Sequence, residues 1–149
     1  MSEGLERELS LLARSMMPGR RSQGEDMLDR SAYLLLQRIE DQGLMSIGEL
    51  ADAFNLDRST VNRQTAALLR QGLARRVPDP EGGVARKLQV TEEGERRLHA
   101  DRKLRLEGIG ALVADWTPAE ITRFEADLRR FNQSIEEGGR QHWPRPDCR

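Results

Sequence analysis

The sequence predicts a mainly α-helical fold with one small β-hairpin. Three observations carry this. Apolar residues recur at three- and four-residue steps in five separate stretches, the spacing of one helix face. Ser/Thr-x-x-Glu signals and glycines mark where those stretches start and stop. Aromatic residues make up only 4% of the 149 residues, too few for a large sheet-lined core.

The first helix is expected over 5–17, with Leu5, Leu9, Leu12 and Met16 on one face. Pro18-Gly19-Arg20-Arg21-Ser22-Gln23-Gly24 breaks it. A second helix is expected from about Glu25 to Asp41, with Leu28, Ala32, Leu35, Leu36 and Ile39 as its stripe and Gly43 as its C-cap. Ser46-Ile47-Gly48-Glu49 reads as a capping box opening a short helix that carries Ile47, Leu50, Ala51 and Phe54. After a turn at Asn55-Leu56, Asp57 is expected to cap the helix from Arg58 to about Gln71. Val61, Thr65, Leu68 and Leu69 face inward on it, and Gly72 stops it. Two helices of unequal length across so short a turn form a helix-turn-helix.

Leu73–Pro78 and Val84–Val90 are partly alternating runs on either side of Asp79-Pro80-Glu81-Gly82-Gly83, which predicts a hairpin with a five-residue loop. Thr91 caps a long helix to about Asp115, with Glu92 and Glu93 at its positive end. Thr117-Pro118-Ala119-Glu120 is a second capping box with proline at N1. The last helix carries Ile121, Phe124, Leu128, Phe131 and Ile135 as a heptad-like seam. Residues 138–149, opening on two glycines and containing two prolines, are predicted to be a disordered tail.

Composition narrows the function. Charged residues are 33% of the chain and no apolar run nears the roughly 20 residues of a bilayer span. The N-terminus lacks the basic-then-apolar order of a secretory signal, so a cytoplasmic protein is expected, with no membrane partner. His99 and His142 are the only histidines, far apart and without a ligand cluster, so no metal site and no cofactor is expected. Cys148, the sole cysteine, has no oriented base, which argues against an enzyme and leaves a free tail thiol. Tyr33, Trp116 and the methionines read as core packing before they read as a ligand pocket. Arg20-Arg21 fits either a solvated loop or a phosphate contact.

The charge is uneven. The chain holds 24 basic and 25 acidic residues, but between Asp57 and Thr91 seven basic residues face three acidic ones, a net +4 against −5 elsewhere. A positive segment on a negative body is an electrostatic footprint for phosphate. Arg58, Ser59, Thr60, Asn62, Arg63 and Gln64 occupy the exposed positions at the start of the second helix of the pair. That helix is narrow enough for a major groove, where arginine pairs with guanine, and asparagine or glutamine with adenine. Arg70 fits a phosphate contact or a support for the helix. The hairpin brings Arg75, Arg76, Arg86 and Lys87 toward the backbone or minor groove. A helix-turn-helix followed at once by such a hairpin is a winged helix, and double-stranded DNA is the partner it suits. The alternative is a winged-helix protein-interaction module, without sequence-specific DNA binding, whose basic face docks an acidic partner.

Residues 46–94, SIGELADAFNLDRSTVNRQTAALLRQGLARRVPDPEGGVARKLQVTEEG, resemble the DNA-binding core of MarR-family transcriptional regulators. The likeness lies in the E-L-A turn, the S-T-V-N-R-Q start of the recognition helix and the L-x-x-x-G-L-x-x-R exit. The D-P wing and the V-T-x-x-G start of the next helix match as well. The resemblance implies a homodimer on a pseudo-palindromic operator, more often a repressor than an activator, with a small-molecule effector in some relatives. It assigns 1–24 and 92–137 to helical dimerisation and 25–91 to DNA binding. The family wing usually carries aspartate and then arginine at its tip, where this chain has Gly82 and Val84. Arg86, two residues on and so on the same side of a strand as Val84, is the substitute, unless the wing touches only phosphates.

Overall fold

A computed structural model describes residues 3–16, 27–139 and 141–145. Their elements are α1 (Glu3–Met16), α2 (Arg30–Gln42), β1 (Met45–Ser46), α3 (Ile47–Phe54), α4 (Arg58–Arg70), β2 (Ala74–Val77), β3 (Lys87–Val90), α5 (Glu92–Leu112) and α6 (Pro118–Glu137). The break at Pro18–Gly24, Arg20-Arg21 and Cys148 lie outside the described residues.

All six expected helices form, with shifted ends. The second starts at Arg30 rather than near Glu25, because Asp29 is its N-cap and accepts from the Ala32 N–H. Gly43 ends it at φ +94°, where a side chain would strain the backbone. Both capping boxes are present, Ser46 with Glu49 and Thr117 with Glu120. Asn55 takes the left-handed conformation, φ 51°, that turns α3 into α4. Asp57 has N-cap backbone geometry, but its side chain makes no capping bond.

The sheet departs from the expected hairpin in two ways. It has three antiparallel strands in the order β1-β3-β2, because Met45 and Ser46 pair with Leu88 and Lys87 on the free edge of β3. The hairpin loop also runs from Pro78 to Arg86 rather than over five residues. The Asp79 carboxylate and carbonyl accept from the Glu81 and Gly82 N–H groups and fold that loop back.

The core lies where α2, α3 and α4 meet the sheet and the first turns of α5. Leu36, Leu50, Val61 and Leu98 are fully buried there, each contributing roughly 2 kcal/mol by leaving water. Thr65 is buried with them, its hydroxyl donating to the Val61 carbonyl. Asp101, also buried, accepts from the Leu28 N–H and ties α5 to the chain before α2. Neither α1 nor α6 buries any described side chain. Their apolar faces, with Leu5, Leu12, Phe124 and Phe131 all more than 40% exposed, flank a groove of about 520 Å³.

Residues 141–145, within the stretch expected to be a disordered tail, cross back from α6 to α2 and α3 instead. Trp143 is the reason: its indole stands edge-on to Phe54, centroids 5.3 Å apart. Glu136 anchors the segment at the α6 end, accepting from Arg145, from the Trp143 N–H and from His142. The Arg145 guanidinium, above all, holds the Glu136 carboxyl down to about 2. A carboxyl depressed on folding stabilises the folded contact above its unfolded value, about 4.3, and loses that contribution as pH falls toward its folded one. The hold of the segment on α6 is therefore expected to weaken between about pH 4 and pH 2. Trp143 emission in a Trp116→Phe background checks this; emission constant to pH 2 contradicts it.

Candidate nucleic-acid interface

Helix α4 is pinned by one face and open on the other. Val61, Thr65 and Leu68 are buried, so the helical period turns Ser59, Asn62, Arg63 and Arg70 outward. Arg58 is exposed as well, and Thr60 is half-covered. Gln64 is the exception among the expected base readers: it is half-buried and its amide donates to the Ser31 hydroxyl at the start of α2, 3.3 Å away. Arg63 makes no ion pair or hydrogen bond with the described residues, so its guanidinium keeps all its donors for an external acceptor.

Beside α4 the fold assembles a second basic feature. A cleft of about 350 Å³ lies between the N-terminus of α3, the start of α4 and the wing, with Gly48, Arg58, Arg76 and Arg86 in its wall. Arg58 reaches it because residue 48 is glycine: a β-carbon there would stand 3.1 Å from the Arg58 Nη2. Arg86 comes over β2, where its guanidinium lies 3.4 Å from the Arg76 carbonyl oxygen. Three guanidinium groups beside the positive end of a helix favour an anion. Arg76 was the less visible member, because alternation along β2 alone does not tell which of Arg75 and Arg76 faces α3. Arg75 turns away and donates to Gln89 across the strand pair.

Lys87 has a different setting from the one charge counting predicts. Its ammonium lies 2.5 Å from Glu49 and 4.0 Å from Asp79, and its side chain is only 14% exposed. The hydrogen bond from Lys87, ahead of the Ser46 N–H, holds the Glu49 carboxyl below the usual carboxylate range. Glu49 thus completes the α3 cap and bolts the wing to it. This second role depends on a partner 38 residues away, which no local pattern reveals.

The wing tip corrects the strand argument for Arg86. Because β3 starts at Lys87, Val84 and Arg86 belong to the loop, and strand alternation does not relate them. Val84 is fully exposed at the tip. Among the described residues no three His, Cys, Asp or Glu side chains are grouped to hold a metal. No described helix is long and apolar enough to cross a membrane. Tyr33 is half-buried beneath the Arg105 guanidinium, 4.1 Å from its ring, while Trp116 packs edge-on against Phe124 at the exposed start of α6.

Residues 28–82 match the sequence model of the MarR family. Over 108 residues the chain is 37% identical to the uncharacterized HTH-type transcriptional regulator YxaD of Bacillus subtilis, covering 72% of this chain and 76% of that protein. Among solved structures it is similar to a MarR family protein from Bacillus stearothermophilus, with 26% identity and a TM-score of 0.71 over 91% of this chain and 98% of that one. A crystal structure of MarR superposes with a TM-score of 0.76 at 26% identity, covering 92% and 95% of the two chains.

Proposed function

Because this chain belongs to the MarR family of DNA-binding transcriptional regulators, and is not an enzyme, we propose that it acts as a homodimeric repressor on a pseudo-palindromic operator. Residues 25–91 form the reading head; residues 1–24 and 92–137 form the dimerisation region. Ser59, Thr60, Asn62 and Arg63 read base edges in the major groove, joined by Gln64 if its bond to Ser31 opens. Arg58, Arg70, Arg76 and Arg86 hold backbone phosphates. Lys87 serves by keeping the wing against α3. A small-molecule effector acts by releasing the operator.

One observation carries this reading: α4 buries Val61, Thr65 and Leu68 while its arginine and amide face stands open beside the three-arginine cleft. The exposed apolar faces of α1 and α6 support the dimer, since a monomer rarely leaves such a surface uncovered. Selection of bound duplexes from a random pool tests the whole. Inverted repeats with half-site centres about one helical turn apart are expected. A pool that shows no enrichment favours the protein-interaction module, and a 17.0 kDa particle by light scattering contradicts the dimer.

The two wing bases are expected to separate in a salt titration. Arg86→Ala should weaken binding to every duplex and flatten the salt dependence by about one unit of slope. Lys87→Ala should change the slope less, because two carboxylates already face its charge. Equal slopes for the two variants would mean that Lys87 leaves Glu49 for a phosphate on binding.

A further inference from the structure

The strap formed by residues 141–145 has its described contacts with α2, α3 and α6, none of which carries the proposed base readers. Yet it lies at a cleft between the reading head and the last helix. A cleft of about 580 Å³ opens between α2 and α6, with Gln37, Asp41 and Arg102 on one side, Arg129 and Asn132 on the other, and Trp143 at one end. No residue of α6 is fully buried, so contacts across that cleft add to the short α5–α6 turn in holding its angle to the head.

Trp143 is built as such a bridge. Its ring meets Phe54, the last residue of α3, and the guanidinium of buried Arg38 lies 4.9 Å from the ring centroid. Its indole N–H points to the Asp41 carboxylate, 3.4 Å away, and Arg38 also donates to the His142 carbonyl at 3.1 Å. On the far side Glu136 gathers Arg145 and the Trp143 N–H. The Trp143 side chain therefore joins α2 to the end of the first helix of the helix-turn-helix, and its backbone N–H, with Arg145, ties the strap to Glu136 of α6. Only Asn55, Leu56 and Asp57 separate Phe54 from the recognition helix.

We propose that Trp143 is a positioning residue: it fixes the angle between α6 and the helix-turn-helix, and so the distance between the two recognition helices of the dimer. This rests on the dimeric DNA-binding reading above. A rigid bridge makes one half-site spacing fit; without it the head rotates, and only a fraction of molecules presents both helices in register.

The test repeats the duplex selection with the full chain and with Trp143→Ala, Trp143→Phe and Arg145→Ala. The wild type is expected to enrich inverted repeats of one spacing. Trp143→Ala should enrich the same half-site at several spacings and bind the wild-type duplex about tenfold more weakly, as when one molecule in ten is competent. Trp143→Phe, which keeps a ring on Phe54, should recover the single spacing. Arg145→Ala, which frees the strap at its exposed end, should broaden the spacing in a folded protein even if Trp143→Ala does not fold. A purely structural role would lower thermal stability and leave the spacing single. That result in either Trp143→Ala or Arg145→Ala overturns the proposal while the DNA-binding reading stands. A wild type that enriches no sequence defeats the reading itself.

Discussion

Gly94→Ala is expected to destabilise the protein by about 3 kcal/mol, the upper end of the usual cost of overpacking a core. A β-carbon at Gly94 would overlap the Leu73 carbonyl oxygen and stand 2.8 Å from the Val90 Cγ1. The Leu73 carbonyl is not free to withdraw. The Leu73 carbonyl accepts the Thr91 N–H, and the Thr91 hydroxyl donates to the Gly72 carbonyl while accepting from the Gly94 N–H. The first turn of α5 is laced to the end of α4 at this point, so moving it would move the wing. Urea unfolding at fixed protein concentration checks the expectation: with a slope of about 2 kcal/mol/M, the midpoint should fall by about 1.5 M. Gly48→Ala is the useful contrast. Its β-carbon meets only the tip of the Arg58 side chain, which can swing away, so stability should barely change. If both variants melt like the wild type, the close approach of α5 to residue 73 is not a constraint.

The same contrast between near and distant partners explains what could be read from the residues alone. Helix starts marked by Ser46 with Glu49, or Thr117 with Glu120, are closed within one turn, and the sequence carries every atom involved in order. The inward face of α4 follows from helical period, and so does its outward face. Strand β1 could not be read this way: two residues become a strand only because Leu88 and Lys87 offer a free edge. Lys87 and Arg86 are adjacent and carry the same charge, yet one is held by Glu49 and Asp79 and the other lies against the arginine cleft. Trp143 sits among prolines and glycines that locally favour disorder, and it is ordered by Phe54 and Asp41, roughly ninety and a hundred residues earlier. Spacing along the chain thus showed the helices and the hairpin. Which charges remain available to DNA depended on pairings that only the fold creates.

Arg63→Ala is expected to give the largest loss of binding. If Arg63 grips a guanine edge bidentately, removing it costs about 1–3 kcal/mol per half-site, and a two-fold dimer presents it twice. Each 1.4 kcal/mol is tenfold in affinity, so even the low end is readily measured by anisotropy against the selected duplex. The location of Arg63 makes it the strongest candidate. It is exposed on the open face of α4, one turn after Ser59 and beside Asn62, and no described carboxylate competes for it. Arg63→Lys separates two ways of losing affinity. Lysine keeps the charge but not the planar fork, so a base contact should remain broken while a phosphate contact should largely recover. Binding measured against the selected duplex and against one with the guanine replaced completes the comparison. A base reader loses the difference between the two duplexes on mutation to either residue; a phosphate contact weakens both equally and leaves the difference intact. Retention of full affinity by Arg63→Ala would remove the central residue of the recognition helix from the interface, and with it the assignment of this face of α4 to the major groove.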